Sequence, residues 1–236
     1  MDMRNPRTDF SNAKYDAAWA IRFDAPAGER ARPTPASRHV THPARATIVD
    51  EGDNAASVYE ILDGGVILFK LLADGRRQII ELLGVGDVFG FAAGQTFDVT
   101  AEALTPVRLA VFDRKAAEAD SEVRDRLFNR LRAQMCALHD HALLLGRKSA
   151  QERVATYLLR LVPGYSGFGC IGGTNGSVRV RLAMTRQEIG DYLGLTIETV
   201  SRAFSSLRRD GVIAYSKQDE VAVPNICRLC RLTGSQ

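Results

Sequence analysis

Three polar residues near the end of the chain, Glu198, Ser201 and Arg202, carry side chains suited to reading the edges of nucleic-acid bases. Arginine forks onto guanine O6 and N7, glutamate accepts from cytosine N4, and serine serves several bases. Such contacts need a rigid platform, and the stretch MTRQEIGDYLGLTIETVSRAFSSLRRDG from Met184 to Gly211 supplies one. Apolar residues at Ile189, Leu193, Leu195, Val200, Phe204 and Leu207 can face inward from two short helices. Gly194 sits where the chain must turn between them, a place that favours positive φ. Thr185 and Glu188 form a T-x-x-E capping box that opens the first helix, and Thr196 caps the second. On that second helix Ile197, Glu198, Ser201 and Arg202 share one face near the N-terminus, the end of a recognition helix that enters the major groove. The pattern predicts a helix-turn-helix that binds double-stranded DNA.

Two β-prone runs follow, Val212 to Tyr215 and Val221 to Val223, separated by the polar turn Ser216 to Glu220. They predict a hairpin wing, and a wing beside a helix-turn-helix is far more specific than either part alone. Thr185, Arg186, Thr196, Thr199, Arg208, Arg209 and Lys217 are the candidates for contacts to the DNA backbone. For Arg186, Arg208 and Arg209 a plain solvated helix face is an equal alternative.

With 236 residues the chain has room for two modest domains, each burying its own core. No apolar run approaches the roughly 20 residues that span a bilayer. The first 45 residues lack the apolar stretch of a secretory signal, so the expected location is the cytoplasm. Net charge is only +3, but it is unevenly spread. From Arg147 onward thirteen Lys/Arg stand against seven Asp/Glu, whereas the preceding part holds eighteen against twenty-one. The basic excess lies with the helix-turn-helix, which suits a DNA-binding domain joined to one that does not bind DNA. Cys227 and Cys230 have C-x-x-C spacing, without the second pair or histidines that complete a tetrahedral zinc site. No metal and no cofactor are expected. No nucleophile motif, metal-binding trio or cofactor fingerprint points to an enzyme.

Residues 1–40, with prolines at 6, 26, 33 and 35, read as a flexible arm with one short helix around Tyr15 to Phe23. Residues 41–118 turn to short β-prone segments punctuated by glycine, with strands expected at Val58 to Leu62, Val66 to Leu71, Gln78 to Leu83 and Val107 to Phe112. Short strands at this spacing suggest a compact β-roll or barrel. Residues 119–147 predict one long helix on which Phe128, Leu131, Met135, Leu138, Ala142 and Leu145 follow a 3-4-3-4-3 spacing. That seam either pairs two copies of the chain or packs on its own domain. A homodimer suits a helix-turn-helix, because two copies reach half-sites about one DNA turn apart. Residues 148–236 hold a helix from Gln151 to Val162, a glycine-rich loop from Gly164 to Ser177 that includes Cys170, a strand from Val178 to Leu182, and then the winged helix-turn-helix. The fold class is α+β.

This order of parts resembles the CRP/FNR family of transcription regulators over about residues 45 to 225. Gly86-Asp87-Val88-Phe89-Gly90 looks like the family's β-roll signature G-D-x-F-G, and Glu198, Ser201 and Arg202 match the E-x-x-S-R reading motif of its FNR and FixK branches. The resemblance implies a cyclic-nucleotide-binding-like β-roll, a long dimerisation helix, and contact with RNA polymerase, for which the loop from Asp74 to Arg77 is the candidate. It also implies that Glu198, Ser201 and Arg202 read an inverted repeat of the type TTGAT-N4-ATCAA. Ile197 stands where the cyclic-AMP receptor carries another arginine, so that receptor's TGTGA preference does not transfer. FNR holds an oxygen-sensing iron–sulfur cluster, but this chain has no cysteine before Cys136, and such clusters usually take four thiolates. Phe91 stands where nucleotide-binding members place glutamate, and Phe97-Asp98-Val99-Thr100 has no match to their Arg-Ser pair. Loss of both sensors implies the FixK-like branch, which activates microaerobic, nitrogen-fixation or respiratory genes. The alternative is a regulator gated by an unrecognised effector or by haem, with His39, His42, His139 and His141 as the available iron ligands. His139 and His141 are expected at the surface or at an interface.

Overall fold

A computed structural model describes residues 37–163, 177–217 and 219–234. The arm with its expected helix at Tyr15 to Phe23, and most of the glycine-rich loop with Cys170, lie outside the described residues.

The N-terminal part is a roll of two four-stranded antiparallel sheets. One sheet runs in the order β1 (Arg38–His42), β8 (Val107–Asp113), β3 (Ser57–Asp63), β6 (Val88–Phe89). The other runs β2 (Thr47–Val49), β7 (Thr100–Ala103), β4 (Val66–Leu71), β5 (Arg77–Leu83). The four strands expected from β-prone runs are β3, β4, β5 and β8, within a residue of the expected bounds. The other four were not foreseen. β7 is Thr-Ala-Glu-Ala, a helix-favouring composition, yet it lies between β2 and β4 with Ala101 and Ala103 fully buried. Pairing along both edges and close packing of small side chains outweigh its propensity.

Two helices follow, α1 (Arg114–Ala119) and α2 (Ser121–Arg147). The single helix expected from residue 119 is therefore broken at Asp120, whose carboxylate accepts the N–H groups of Glu122 at 3.0 Å and Val123 at 3.1 Å. This cap satisfies donors that the first turn cannot pair internally. The 27 residues of α2 span about 40 Å. They are stitched to the roll at the Gly86 to Gly90 turn. The Val88 N–H donates to Gln134 Oε1 and Gln134 Nε2 donates to the Val88 carbonyl, both at 2.9 Å. Asp87 accepts from the Gly84 N–H at 2.8 Å, and Phe89 stacks on Tyr59 with ring centroids 4.8 Å apart. The signature turn is thus a structural joint between sheet and helix.

The C-terminal part contains α3 (Ala150–Arg160), β9 (Val178–Arg181), α4 (Arg186–Leu193), α5 (Ile197–Arg209), β10 (Ala214–Lys217), β11 (Glu220–Val223) and α6 (Ile226–Arg231). The expected hairpin wing is β10–β11, and β9 joins it as a third strand in the order β10-β11-β9.

Each part buries its own core, as chain length suggests, but the C-terminal core also extends onto the outer face of the roll. Val66 and Leu68 of β4 face the interior of the roll, while the alternate residues Ile67 and Phe69 join Ile79, Leu144, Ile189 and Leu193 in one buried cluster that continues through the C-terminal part. A strand apolar on both faces must be covered on both, and here α2 and the C-terminal helices supply the second cover.

The roll also buries charge close to this junction. Burial pushes the Glu81 carboxyl of β5 up to about 7, and the neighbouring Asp87 charge adds to the rise. Asp87 is itself pushed up to about 6 by burial, against the pull of the Gly84 N–H and of Arg130. Glu81 binds a proton more tightly folded than unfolded, so its contribution to stability is complete below the unfolded value of 4.5 and is lost as pH rises through about 7. Glu81→Gln is expected to stabilise the protein by about 1–3 kcal/mol at pH 8.5 and by almost nothing at pH 4.5. Urea unfolding at the two pH values checks this.

Candidate nucleic-acid interface

Helix α4 opens with the expected capping box. Thr185 Oγ1 accepts from the Glu188 N–H at 3.2 Å, and Glu188 Oε2 accepts from the Thr185 N–H at 2.8 Å. It closes at Gly194, which adopts φ 62° and ψ 42°, the left-handed conformation that the turn requires. Gly190, one turn earlier, has a separate reason to be glycine: a Cβ there would lie 2.6 Å from the Leu195 carbonyl oxygen. The two helices pack this closely only because position 190 has no side chain.

Helix α5 starts at Thr196, whose hydroxyl accepts from the Thr199 N–H at 3.3 Å and lies 3.1 Å from the Thr199 hydroxyl. Val200, Phe204 and Leu207 are fully buried, and Leu195 in the turn is half-buried against the same core. The opposite face is open. Glu198, Ser201 and Arg202 are all exposed, and the last two line a shallow depression of about 480 Å³ with Ser205, Ser206 and Arg209. Glu198 is held ionised. Its own backbone N–H, the Thr196 hydroxyl and the Arg202 charge together lower its pKa. The chosen residues are therefore brought together as an anionic acceptor, a hydroxyl and a cation on one face.

The candidates for backbone contacts divide. Thr185, Thr196 and Thr199 lie at the starts of α4 and α5, their hydroxyls already engaged in the caps. Arg208 and Arg209 are exposed in the last turn of α5. Arg186 is neither free nor merely solvated. Its guanidinium lies 3.4 Å from the centre of the Phe204 ring, and Nη2 donates to the Tyr215 hydroxyl at 2.8 Å. It thus ties the start of α4 to α5 and to the wing. Lys217 ends β10, with its side chain outside the described ones.

Two supporting residues escaped the sequence analysis. Tyr215 anchors Arg186, and the Arg208 guanidinium lies 5.9 Å from its ring centre. Arg153 of α3 donates to the carbonyls of Lys148 at 2.9 Å, Leu145 at 2.6 Å and Leu193 at 2.9 Å. One guanidinium thereby satisfies terminal carbonyls of α2 and α4 and fixes both to α3. An arginine one position after a capping-box glutamate gave no sequence signal for this role.

On α2, Phe128, Leu131, Met135 and Ala142 are exposed and Leu138 is half-buried. Leu145, expected to end this seam, is instead drawn onto the C-terminal core, its side chain beside Gly194. The neighbouring Leu143 is exposed.

Residues 152–232 match the Crp-like helix-turn-helix domain and residues 39–119 match the cyclic nucleotide-binding domain. The nitrogen fixation regulation protein FixK of Azorhizobium caulinodans is 38% identical over 216 residues, 87% of this chain and 85% of that protein. The chain belongs to the CRP/FNR family of transcription regulators. The transcriptional activator protein FnrL of Cereibacter sphaeroides is 35% identical, covering 82% of this chain and 79% of its own. The structure of FixK2 from Bradyrhizobium japonicum superposes with a TM-score of 0.71 at 36% identity, over 85% of this chain and 98% of that one. These relatives are transcription regulators of that family, not enzymes.

Within this CRP/FNR chain the residues of the roll do not fit a cyclic nucleotide. From Gly90 to Thr100 the chain offers no basic residue for a phosphate and places Asp98 there instead. Phe97 is buried in the roll's core with Phe89, and Phe91 is exposed. Arg114 is already committed, donating to the carbonyls of Ala92 at 2.8 Å and Gly94 at 2.9 Å. The histidines are dispersed. His39 and His139 are exposed and His42 is half-buried, whereas His141 is buried with its ring stacked on Tyr192 at 4.3 Å. Burial and the Arg160 charge push the His141 pKa down to about 4. Among the described residues no three His, Cys, Asp or Glu side chains converge as metal ligands, and no helix is long and apolar enough to cross a membrane.

Replacing a helix-interior glycine by alanine ordinarily stabilises by roughly 0.5–1 kcal/mol. At Gly190 the sign is expected to reverse. Gly190→Ala should destabilise by about 1–3 kcal/mol, because the added methyl must push the Leu195 carbonyl away. Chemical unfolding of the full chain measures it.

Proposed function

We propose that this chain is a FixK-like activator which binds, as a homodimer, an inverted repeat of the type TTGAT-N4-ATCAA. One observation carries the reading: Glu198, Ser201 and Arg202 project from the first turns of a capped helix whose opposite face is locked into the core. Arg202 would fork onto guanine, Glu198 would accept from cytosine, and Ser201 would add a third contact. Thr185, Arg186, Thr196, Thr199, Arg208, Arg209 and Lys217 would hold the phosphates on either side, with Arg186 presenting the part of its guanidinium not used by Tyr215.

Dimerisation is supported by the face of α2 on which Phe128 is 58% and Met135 51% exposed. With Leu131, Leu138 and Ala142 these residues form a stripe that a second copy would cover in heptad packing. The relatives named for nitrogen fixation and for transcriptional activation support activation of nitrogen-fixation or respiratory genes. Contact with RNA polymerase would fall on the β4–β5 turn, where Asp74 and Arg76 pair at 2.8 Å on the surface. Such a regulator works in the cytoplasm, where promoters are.

Selection of bound sites from random duplex DNA tests the assignment. The unaltered chain is expected to enrich the palindrome. Arg202→Ala should lose the guanine preference in each half-site, a discrimination of about 1–3 kcal/mol. An unchanged preference would remove Arg202 from base reading. Separately, Phe128→Glu with Met135→Glu is expected to sediment as a monomer and to bind the palindrome at least about 100-fold more weakly, since avidity across two half-sites is lost.

A further inference from the structure

The roll and the first helix of the helix-turn-helix are joined by a set of charges with no part in reading DNA. At its centre is Glu188, 5% exposed. Its Oε2 accepts from the Thr185 N–H at 2.8 Å, as the capping box requires, and also from the Thr185 hydroxyl at 2.9 Å. The same carboxylate also receives Arg45, from the turn between β1 and β2, in a two-pronged contact: Nη1 to Oε1, and Nη2 to Oε2 at 3.1 Å. Arg77, at the start of β5, lies 3.8 Å from Glu188 and donates Nε to Asp191 Oδ2 at 3.0 Å. Glu102 of β7 sits 3.7 Å from both arginines. The Arg77 guanidinium is further steadied over the Phe69 ring, 5.3 Å from its centre.

Two features set this clasp apart from ordinary surface ion pairs, which contribute little. Glu188 and Asp191 are almost wholly buried, and both lie on α4 while their cations lie on the roll. A buried carboxylate left without its cation is costly, so the two parts are held in one mutual orientation. In addition, Arg45 adopts φ 68°, the one non-glycine residue with positive φ among the described residues. Such a backbone persists where surrounding contacts over-determine it.

We infer that Arg45 and Arg77 are positioning residues for DNA binding, holding α4, and through it α5, at a fixed angle to the roll by way of Glu188 and Asp191. The inference rests on the dimeric DNA-binding reading above. A dimer reads two half-sites about one DNA turn apart only if both recognition helices stand at the right separation and tilt. Any freedom of the C-terminal part relative to roll and α2 therefore subtracts from affinity for the palindrome and not from contact with one half-site. Phe89 and Phe97 are buried in the roll's interior, and it is the clasp that sets that angle.

The test uses the full chain and fluorescence anisotropy with two duplexes, the palindrome that the unaltered protein selects and one bearing a single half-site. Arg45→Gly removes the guanidinium at a position whose φ glycine accepts freely. This variant and Arg77→Asp are each expected to bind the palindrome about tenfold more weakly, as if the competent orientation were populated one time in ten. Their affinity for the single half-site, their base preference and their salt slope should stay unchanged, because no phosphate contact is removed. Combining Arg77→Asp with Asp191→Arg should bring palindrome affinity back to near that of the unaltered chain. Variants that bind the palindrome normally, that lose both duplexes alike, or that are not rescued by the swap would overturn the positioning role. Failure of the unaltered chain to bind any palindrome would instead overturn the function on which the inference rests.

Discussion

Helix α5 is anchored on one side only. Val200, Phe204 and Leu207 are fully buried, and each such side chain gains roughly 1.5–3 kcal/mol from leaving water. The hydrogen bonds of Ser206 with Arg209 and Asp210 on the other face lie within the helix and its cap, so the core sets the rotation of the helix about its axis. Glu198, Ser201 and Arg202 are left outward as a consequence of where the apolar residues fall. The caps at Thr185 and Thr196, the turn at Gly194 and the bare backbone at Gly190 then fix where the helix begins and how close α4 lies. Arg186 completes the frame by bridging Phe204 beneath α5 to Tyr215 in the wing. Helix, turn and wing thereby move as a unit, which a reader of base edges needs, since misplacement by a fraction of a hydrogen bond loses the contact.

The N-terminal roll carries the outline of a cyclic nucleotide-binding domain with different contents. Its signature turn survives as a joint, with Gln134 clamping the backbone of Val88 to the helix and Asp87 closing the turn onto Gly84. Phe89 and Phe97 are buried in its interior, and Arg114 is spent on the backbone of the loop from Ala92 to Gly94. The outer face of β4 and β5 is merged into the core of the C-terminal part. A roll built this way acts as a rigid body against which the DNA-binding part is braced, through apolar contact and the Arg45 and Arg77 clasp alike.

Local chemistry made the helix-turn-helix legible. Caps, a left-handed glycine and inward spacing all act within a few residues, and each was found where expected. Strands β3, β4, β5 and β8 were legible for the same reason. The break at Asp120 lay within reach too, because aspartate ahead of Ser-Glu-Val is an N-cap signal. What escaped depends on distant partners. β7 is a strand only because β2 and β4 flank it, and β9 joins the wing only through β11. The commitment of Arg186 to Phe204 and Tyr215, the withdrawal of Leu145 from the seam, the burial of His141 and the three carbonyls gathered by Arg153 are all tertiary events. The apolar run Val66 to Phe69 has the pattern of a strand covered on both faces, but nothing local in it says which part of the chain supplies the second cover.

Hydroxyl-radical footprinting of the purified chain on a duplex bearing TTGAT-N4-ATCAA bears most directly on α5 as a reader of paired half-sites. Two protected patches related by the dyad and separated by about one helical turn are predicted. Uniform weak protection along the duplex, or one patch alone at saturating protein, would contradict it.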